Sequence, residues 1–160
     1  MNILITSGGT SEKIDQVRSI TNHSTGQLGK IISELFLEAG FSVTLVTTPT
    51  AVQPKEHPGL RRIFIKDVAE LQTVLEIETP THQALIHAMA VSDYSPVYMS
   101  GFQAVKEASN LEQFLHQTNQ ESKISSEEDY QVLFLKKNPK LISLVKTWNP
   151  DIRLIGFKLL

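Results

Sequence analysis

The sequence predicts an α/β fold, a Rossmann-like open, mainly parallel sheet with helices on both faces. Short apolar runs of strand type alternate with stretches of helical periodicity, and that alternation builds parallel sheets through crossover helices. The run Ala84 to Val91, ALIHAMAV, is nearly continuous, as a central strand covered on both faces requires. Glycine-rich turns follow the first strand and precede the first helix. In open sheets of this kind ligands bind outside the carboxyl ends of the strands.

Ile3, Leu4 and Ile5 open the chain as a strand, stopped by Ser7-Gly8-Gly9-Thr10. A polar stretch runs to Asn22, and Ser24-Thr25-Gly26 leads into a helix whose apolar residues Leu28, Ile31, Ile32, Leu35 and Phe36 recur at helical spacing. Gly40 stands where a helix C-terminus is expected. Phe41 to Thr48 reads as the second strand and Arg62 to Ile65 as the third. Asp67, with Glu70 three residues on, predicts a capped helix carrying Val68, Leu71 and Leu75 inward and ending before Pro80. After the strand Ala84–Val91 the rhythm breaks. Ser95 to Ser126 is long and polar, with room for one amphipathic helix through Phe102, Val105, Leu111, Phe114 and Leu115. A segment of this length predicts a mobile flap over about 97–126. Tyr130 to Leu135 then reads as a strand, Pro139 as the first residue of a helix, and Ile152 to Leu160 as a last strand.

Composition narrows the function. The chain has 160 residues, enough for one domain, with 41% apolar and 20% charged side chains. We expect residues 1–160 to form a single nucleotide-binding α/β domain. A formal net charge of -2 argues against nucleic acid as a partner. No apolar run approaches the roughly 20 residues that span a bilayer, so no membrane partner is expected. The N-terminus MNILITSGG lacks the basic and apolar regions of a signal peptide. Cysteine is absent, which excludes disulfides and thiolate metal sites and fits a cytoplasmic protein.

Two glycine turns bracket the first candidate site. Gly8-Gly9 ends the first strand, and Gly26-x-x-Gly29 presents backbone N–H groups at a helix start, where the dipole favours anions. Ser24 and Thr25 add hydroxyl donors. A bound phosphate and an ordinary strand-to-helix turn both fit this pattern, which is neither GxGxxG nor GxxxxGK[ST]. Asp93, just past the strand Ala84–Val91, can accept hydrogen bonds from a ligand, help hold a divalent cation on a triphosphate, or simply stabilise the turn before Pro96. Lys123, at the end of the long polar segment, can close over charge developing on a phosphoryl group or be a solvated surface charge. The five histidines show no metal-ligand spacing, and no metal site is predicted from the protein's own side chains. His87, inside an apolar strand, reads as a core residue.

Taken in order, these segments resemble the phosphopantothenate–cysteine ligase family, in its free-standing bacterial form. Gly8-Gly9-Thr10-Ser11-Glu12 with Ile14-Asp15-x-Val17-Arg18 resembles the family's opening loop. Ile20-Thr21-Asn22-His23-Ser24-Thr25-Gly26 with Gly29 resembles its substrate motif, and Ala90-Val91-Ser92-Asp93-Tyr94 with Pro96 its nucleotide-site aspartate segment. Lys123-Ile124 resembles the start of its lysine loop. Asn138-Pro139-Lys140-Leu141 and Gly156-Phe157 resemble two later nucleotide-contacting stretches. The chain departs from the family at Met89-Ala90, where Ala-Ala is common, and at Ser125-Ser126, where further lysines are common.

The resemblance implies a ligase of coenzyme A synthesis that joins 4′-phosphopantothenate to L-cysteine through an acyl-nucleotide. It assigns Asn22 to the acyl intermediate and Lys123 to the loop over it. Gly8, Gly9, Ser24, Thr25 and Gly26 would accommodate phosphate. Met89, Ala90, Asp93, Pro139, Lys140, Leu141 and Phe157 would line the nucleotide site. The implied co-substrate is CTP in preference to ATP, accompanied by magnesium (Mg2+). A homodimer is implied, and contact with a separate phosphopantothenoylcysteine decarboxylase stays open. The family continues past the position of Leu160 with another basic nucleotide-binding segment, so the chain is expected to be incomplete at its C-terminus. Two other readings remain. A nicotinamide-dependent oxidoreductase would call for a GxGxxG loop and a Tyr-x-x-x-Lys pair, which Tyr94 and Tyr98 do not provide. A non-catalytic nucleotide-binding module would bind without turnover.

Overall fold

In the computed structural model, residues 1–120, 123–125 and 127–158 are described. They fall into two compact units, Met1–Ser11 with Thr21–Ser92 and Lys140–Leu160, and Glu12–Ile20 with Asp93–Pro139.

The first unit is built on five parallel strands, β1 (Asn2–Thr6), β4 (Ser42–Thr47), β5 (Leu60–Phe64), β6 (Ala84–His87) and β9 (Arg153–Gly156). Their order in the sheet is β5-β4-β1-β6-β9. Counted along the chain within this sheet that is 3-2-1-4-5, the doubly wound arrangement whose direction reverses between β1 and β6. Successive residues of β1 point to opposite faces. Leu4 joins Val46, Leu85 and helices α2 (Val68–Glu78) and α4 (Leu141–Trp148) in one core. Ile3 and Ile5 join Val43, Leu45 and helix α1 (Gln27–Glu38) in the other. Helices therefore cover both faces, as the sequence predicts. Leu4, Leu71, Leu75, Leu85 and Val145 have no exposed surface, and each such side chain contributes on the order of 1.5–3 kcal/mol.

Helix α1 buries its small residues. Gly29, Ser33 and Leu37 form the inner line, while Leu28, Ile31 and Leu35 stay substantially exposed. A Cβ on Gly29 would lie 2.3 Å from Ser7 Oγ, so glycine is what lets the helix approach β1 this closely. At the other end, Gly40 has φ 86°, and Phe41 N–H returns to the Phe36 carbonyl. Asp67 caps α2, its carboxylate accepting from Glu70 N–H at 2.8 Å. The Glu70 carboxylate reaches back to Lys66 N–H, one residue before the cap, at 2.8 Å.

Some sequence boundaries shift. The strand expected over Ala84–Val91 ends at His87, and Ala90 is held by an isolated parallel bridge to Gly9. Helix α4 begins at Leu141 with Lys140 as its N-cap, so Pro139 lies just outside the helix. The last strand covers Arg153–Gly156, and residues 159 and 160 of the expected run lie outside the described residues.

In the second unit, the stretch expected to be largely irregular contains a strand, β7 (Tyr94–Gly101). It pairs antiparallel with β8 (Gln131–Lys137), so the strand expected at Tyr130–Leu135 belongs to a separate two-stranded sheet. The register slips between Pro96 and Tyr98, next to a proline that lacks a ladder donor. The single amphipathic helix expected here is two segments, α3 (Phe102–Glu107) and a 3-10 turn Leu111–His116, separated by extended backbone at Ala108 and Asn110. Phe114 stacks between Tyr98 and Phe134, with ring centroids 6.1 and 5.3 Å apart, and supplies this unit's small core. Residues 121, 122 and 126 of the expected flap lie outside the described residues. The hairpin β2 (Ser11–Lys13) and β3 (Ser19–Thr21), absent from the sequence reading, carries the chain out of the first unit and back.

Candidate functional site

The reversal point between β1 and β6 gathers the first group of predicted residues. Two threonines fasten the two strand ends, and a serine ties the end of β1 to the start of α1. Thr6 Oγ1 accepts from Met89 N–H at 3.2 Å and lies 2.7 Å from His87 Nδ1. Thr10 Oγ1 accepts from Ser92 N–H at 2.9 Å, and Ser7 Oγ donates to the Gly26 carbonyl at 3.0 Å. The backbone adds Thr10 N–H to Ala90 O and Ala90 N–H to Gly8 O, at 3.0 and 2.9 Å. Gly8, Gly9, Met89 and Ala90 are thereby one fixed surface.

Asn22 is fastened to the same surface. Its N–H donates to Thr10 O at 3.1 Å, and its carbonyl lies against the Cα of Gly9. Glycine is required there, because a Cβ would sit 2.1 Å from that oxygen. Gly8 has φ 95° and faces Thr48, so its turn too depends on glycine. From Asn22 the chain passes through exposed Ser24 and Thr25 to Gly26, the N-cap of α1, with φ 79°. Gly26 has no side chain to cap with, and the first turn of α1 holds no acidic residue. The positive end of this twelve-residue helix is therefore not neutralised from within, which suits an anion. Thr25 Oγ1 accepts a long bond from Gln27 N–H at 3.3 Å.

His87, at the end of β6, has its pKa pushed down to about 4 by burial and, secondarily, by the Lys140 charge. The imidazole is neutral at physiological pH. Lys140 and buried Leu141 start α4, also at the carboxyl end of the sheet, and Phe157 follows β9. Phe157 borders an apolar groove of about 440 Å3 with Leu35, Phe36 and Ile155.

The second unit holds Asp93, Lys123 and Pro139. Asp93 follows Ser92 in the chain, and its carbonyl accepts from Asn138 N–H at 2.8 Å, which ties the residue before Pro139 to the start of β7. Lys123 is exposed. Ile124, next to it, is buried and is gripped by Asp15 and Arg18. The ion pair Asp15–Arg18, at 2.8 Å, holds the Asp15 carboxyl well below the usual carboxylate range. Among the described residues no group of three or more His, Asp or Glu is placed to hold a metal. No helix of the described residues is long and apolar enough to cross a membrane.

The sequence reading missed Thr6 and Thr10 as the fasteners of the strand ends and Asp15 and Arg18 as holders of residue 124. Polar residues at the carboxyl ends of two adjacent strands were the available signal for the threonines. For Asp15, no local pattern reveals a partner 109 positions away.

Residues 1–119 match the model of the DNA/pantothenate metabolism flavoprotein C-terminal domain. The chain is 32% identical over 145 residues to the coenzyme A biosynthesis bifunctional protein CoaBC of Vibrio cholerae, covering 89% of this chain and 31% of that protein. It thus spans about a third of the curated relatives' length. A crystal structure of the DNA/pantothenate metabolism flavoprotein from Streptococcus pneumoniae superposes with a TM-score of 0.95 at 58% identity, covering 100% of this chain and 70% of that one. The C-terminal domain of a coenzyme A biosynthesis bifunctional protein CoaBC superposes with a TM-score of 0.71 at 25% identity, covering 98% of this chain and 63% of that one. The chain therefore belongs to the DNA/pantothenate metabolism flavoprotein C-terminal domain family.

Proposed function

We propose that the chain carries the ligase activity that joins 4′-phosphopantothenate to L-cysteine in coenzyme A synthesis. The observation that supports it most directly is the fixing of Asn22 by Thr10 and Gly9 at the reversal point, immediately before the uncapped start of α1. Relatives named for coenzyme A biosynthesis are 32% and 31% identical over 89% and 98% of this chain.

The reaction has two halves. A carboxylate oxygen of 4′-phosphopantothenate attacks the α-phosphorus of the nucleoside triphosphate, the bond from that phosphorus to the bridging oxygen breaks, and pyrophosphate leaves. The cysteine amine then attacks the acyl carbon of the acyl-nucleotide, loses a proton, and expels the nucleoside monophosphate as the C–O bond breaks. The backbone N–H groups at the start of α1, with Ser24, Thr25 and Gly26, receive phosphate oxygens. The Asn22 amide hydrogen-bonds the acyl intermediate, and Lys123 stabilises charge developing on the phosphoryl group. Gly8, Gly9, Met89, Ala90, Asp93, Pro139, Lys140, Leu141 and Phe157 are assigned to the nucleotide. CTP is the proposed nucleotide. Magnesium would arrive on its phosphates and neutralise their charge, with Asp93 as the carboxylate proposed to help hold it. A cytoplasmic homodimer, with a separate decarboxylase consuming the product, completes the proposal.

The test is pyrophosphate release by purified protein given 4′-phosphopantothenate and magnesium, with CTP and ATP supplied separately and cysteine added afterwards. Release that needs phosphopantothenate, with turnover raised by cysteine, is expected with CTP. Nucleotide binding with no release would overturn the ligase and leave a binding module.

A further inference from the structure

The contact that the reaction above leaves unused is the grip of Asp15 and Arg18 on Ile124. All three residues lie in the second unit, yet Asp15 and Ile124 are 109 positions apart in the chain. The Asp15 side chain has no exposed surface. Its two oxygens divide the work. Oδ1 accepts from Val17 N–H at 2.9 Å and Arg18 N–H at 2.7 Å, closing a local turn. Oδ2 accepts from Arg18 Nε at 3.0 Å, Arg18 Nη2 at 2.8 Å and Ile124 N–H at 3.1 Å. Arg18 Nη2 also donates to the Ile124 carbonyl at 2.7 Å. Both polar groups of one backbone residue are thus held by a single charge pair, while its side chain is buried.

The Arg18 side chain is 36% exposed, so solvent screens the pair and it contributes little to stability by itself. Here its geometry serves another end. Hydrogen bonds to a carboxylate and from a guanidinium are the stronger and more directional kind. The bond from Ile124 N–H fixes the peptide that joins it to Lys123, the bond to the Ile124 carbonyl fixes the next peptide, and the Lys123 side chain is left exposed. Residues 117–130 contain no helix or strand among those described. Asn119, whose side-chain amide bonds both backbone groups of Met99, and Tyr130, whose carbonyl accepts from Phe102 N–H, hold the two ends, and Asp15 and Arg18 hold Ile124 between them.

We propose that Asp15 is a positioning residue which, through its pair with Arg18, sets the backbone of Lys123 for the reaction. The proposal rests on the ligase reading of Lys123 given above. It distinguishes Asp15 from a residue that only closes a turn, because Oδ1 serves the turn and Oδ2 serves the lysine segment.

Asp15→Asn separates the two roles. The amide oxygen can keep the local turn, but the amide nitrogen presents a donor where Ile124 N–H and Arg18 need an acceptor. Turnover in the pyrophosphate assay should fall at least about 10-fold with KM for the nucleotide changed by less than about 3-fold, because orientation of the charge and not ground-state binding is lost. Exchange of the Ile124 amide hydrogen should accelerate. In a Lys123→Ala background the same Asp15→Asn change should have almost no further effect on kcat, a non-additivity that a merely structural role would not produce. Full additivity in that cycle, or wild-type turnover by Asp15→Asn, would sink the positioning role alone. Absence of turnover in the wild type would remove the ligase reading and the positioning role with it. Should Asp15→Asn fail to fold, Arg18→Lys replaces it, since a lysine cannot hold both Asp15 and the Ile124 carbonyl with the guanidinium fork.

Discussion

The Cα of Gly9 lies so close to the backbone carbonyl of Asn22 that a methyl group on it would sit 2.1 Å from the oxygen. This contact, together with the bond from Asn22 N–H to Thr10, decides where the Asn22 segment stands relative to the end of β1. Gly9→Ala should therefore displace Asn22. We expect about a 100-fold loss in kcat/KM, the size associated with a shift of roughly 1 Å in a positioning element. The protein should lose about 1–3 kcal/mol of stability as the clash is relieved. Pyrophosphate release and urea denaturation measure the two effects, and wild-type values in both would contradict the contact.

Thr10→Val keeps the shape of a buried side chain and removes the acceptor for Ser92 N–H, which is itself buried. An unsatisfied buried donor costs about 1–3 kcal/mol. Denaturant midpoints should fall accordingly in Thr10→Val and recover in Thr10→Ser, which restores the hydroxyl. Equal loss in both variants would point to packing of the methyl group instead.

The pH dependence of stability should carry the mark of His87. Its folded pKa of about 4 lies below the ordinary 6.5. The unfolded chain therefore binds a proton that the folded one refuses between those values. Stability is fully present above pH 6.5 and declines as pH falls towards 4, by at most ~3 kcal/mol. Asp15 acts later, because a depressed carboxylate loses its contribution only as pH falls below its ordinary value of 3.8. Urea titrations at pH 7.5, 5.5 and 4.5 should show the decline in wild type and a flatter profile in His87→Gln.

Much of the first unit was legible because its strands declare themselves. Ile3–Ile5 and Ala84–Ile86 are apolar on both faces, and Val43, Leu45 and Val46 reach both cores, as a covered parallel sheet requires. Asp67 and Gly40 marked helix ends through local chemistry, and both ends stand where that chemistry places them. The strand end at His87 was not legible, since Ala88–Val91 is as apolar as the strand itself while its backbone bonds go to Thr6 and Gly8. Nor was β7, where Pro96 and Gly101 argue against a strand, and pairing with distant β8 overrides them. Of the candidate site, the glycine turns could be read from motif and spacing, and Asn22 came only with the family resemblance. Thr6 and Thr10, which fasten the strand ends, and Asp15, which holds Ile124, act through partners that no local pattern names.

The second unit is assembled from two stretches of chain, residues 12–20 and 93–139, with the first unit's strands β4, β5 and β6 encoded between them. Its closure is therefore expected to come late in folding. The early stretch has to wait for more than seventy residues to be threaded before Ile124 can be seized, and long loops of this kind slow the step that closes them. A contiguous peptide spanning 93–139 would contain both strands of the β7–β8 ladder and all three rings of the Phe114 stack, but it would lack the carboxylate that holds its lysine segment.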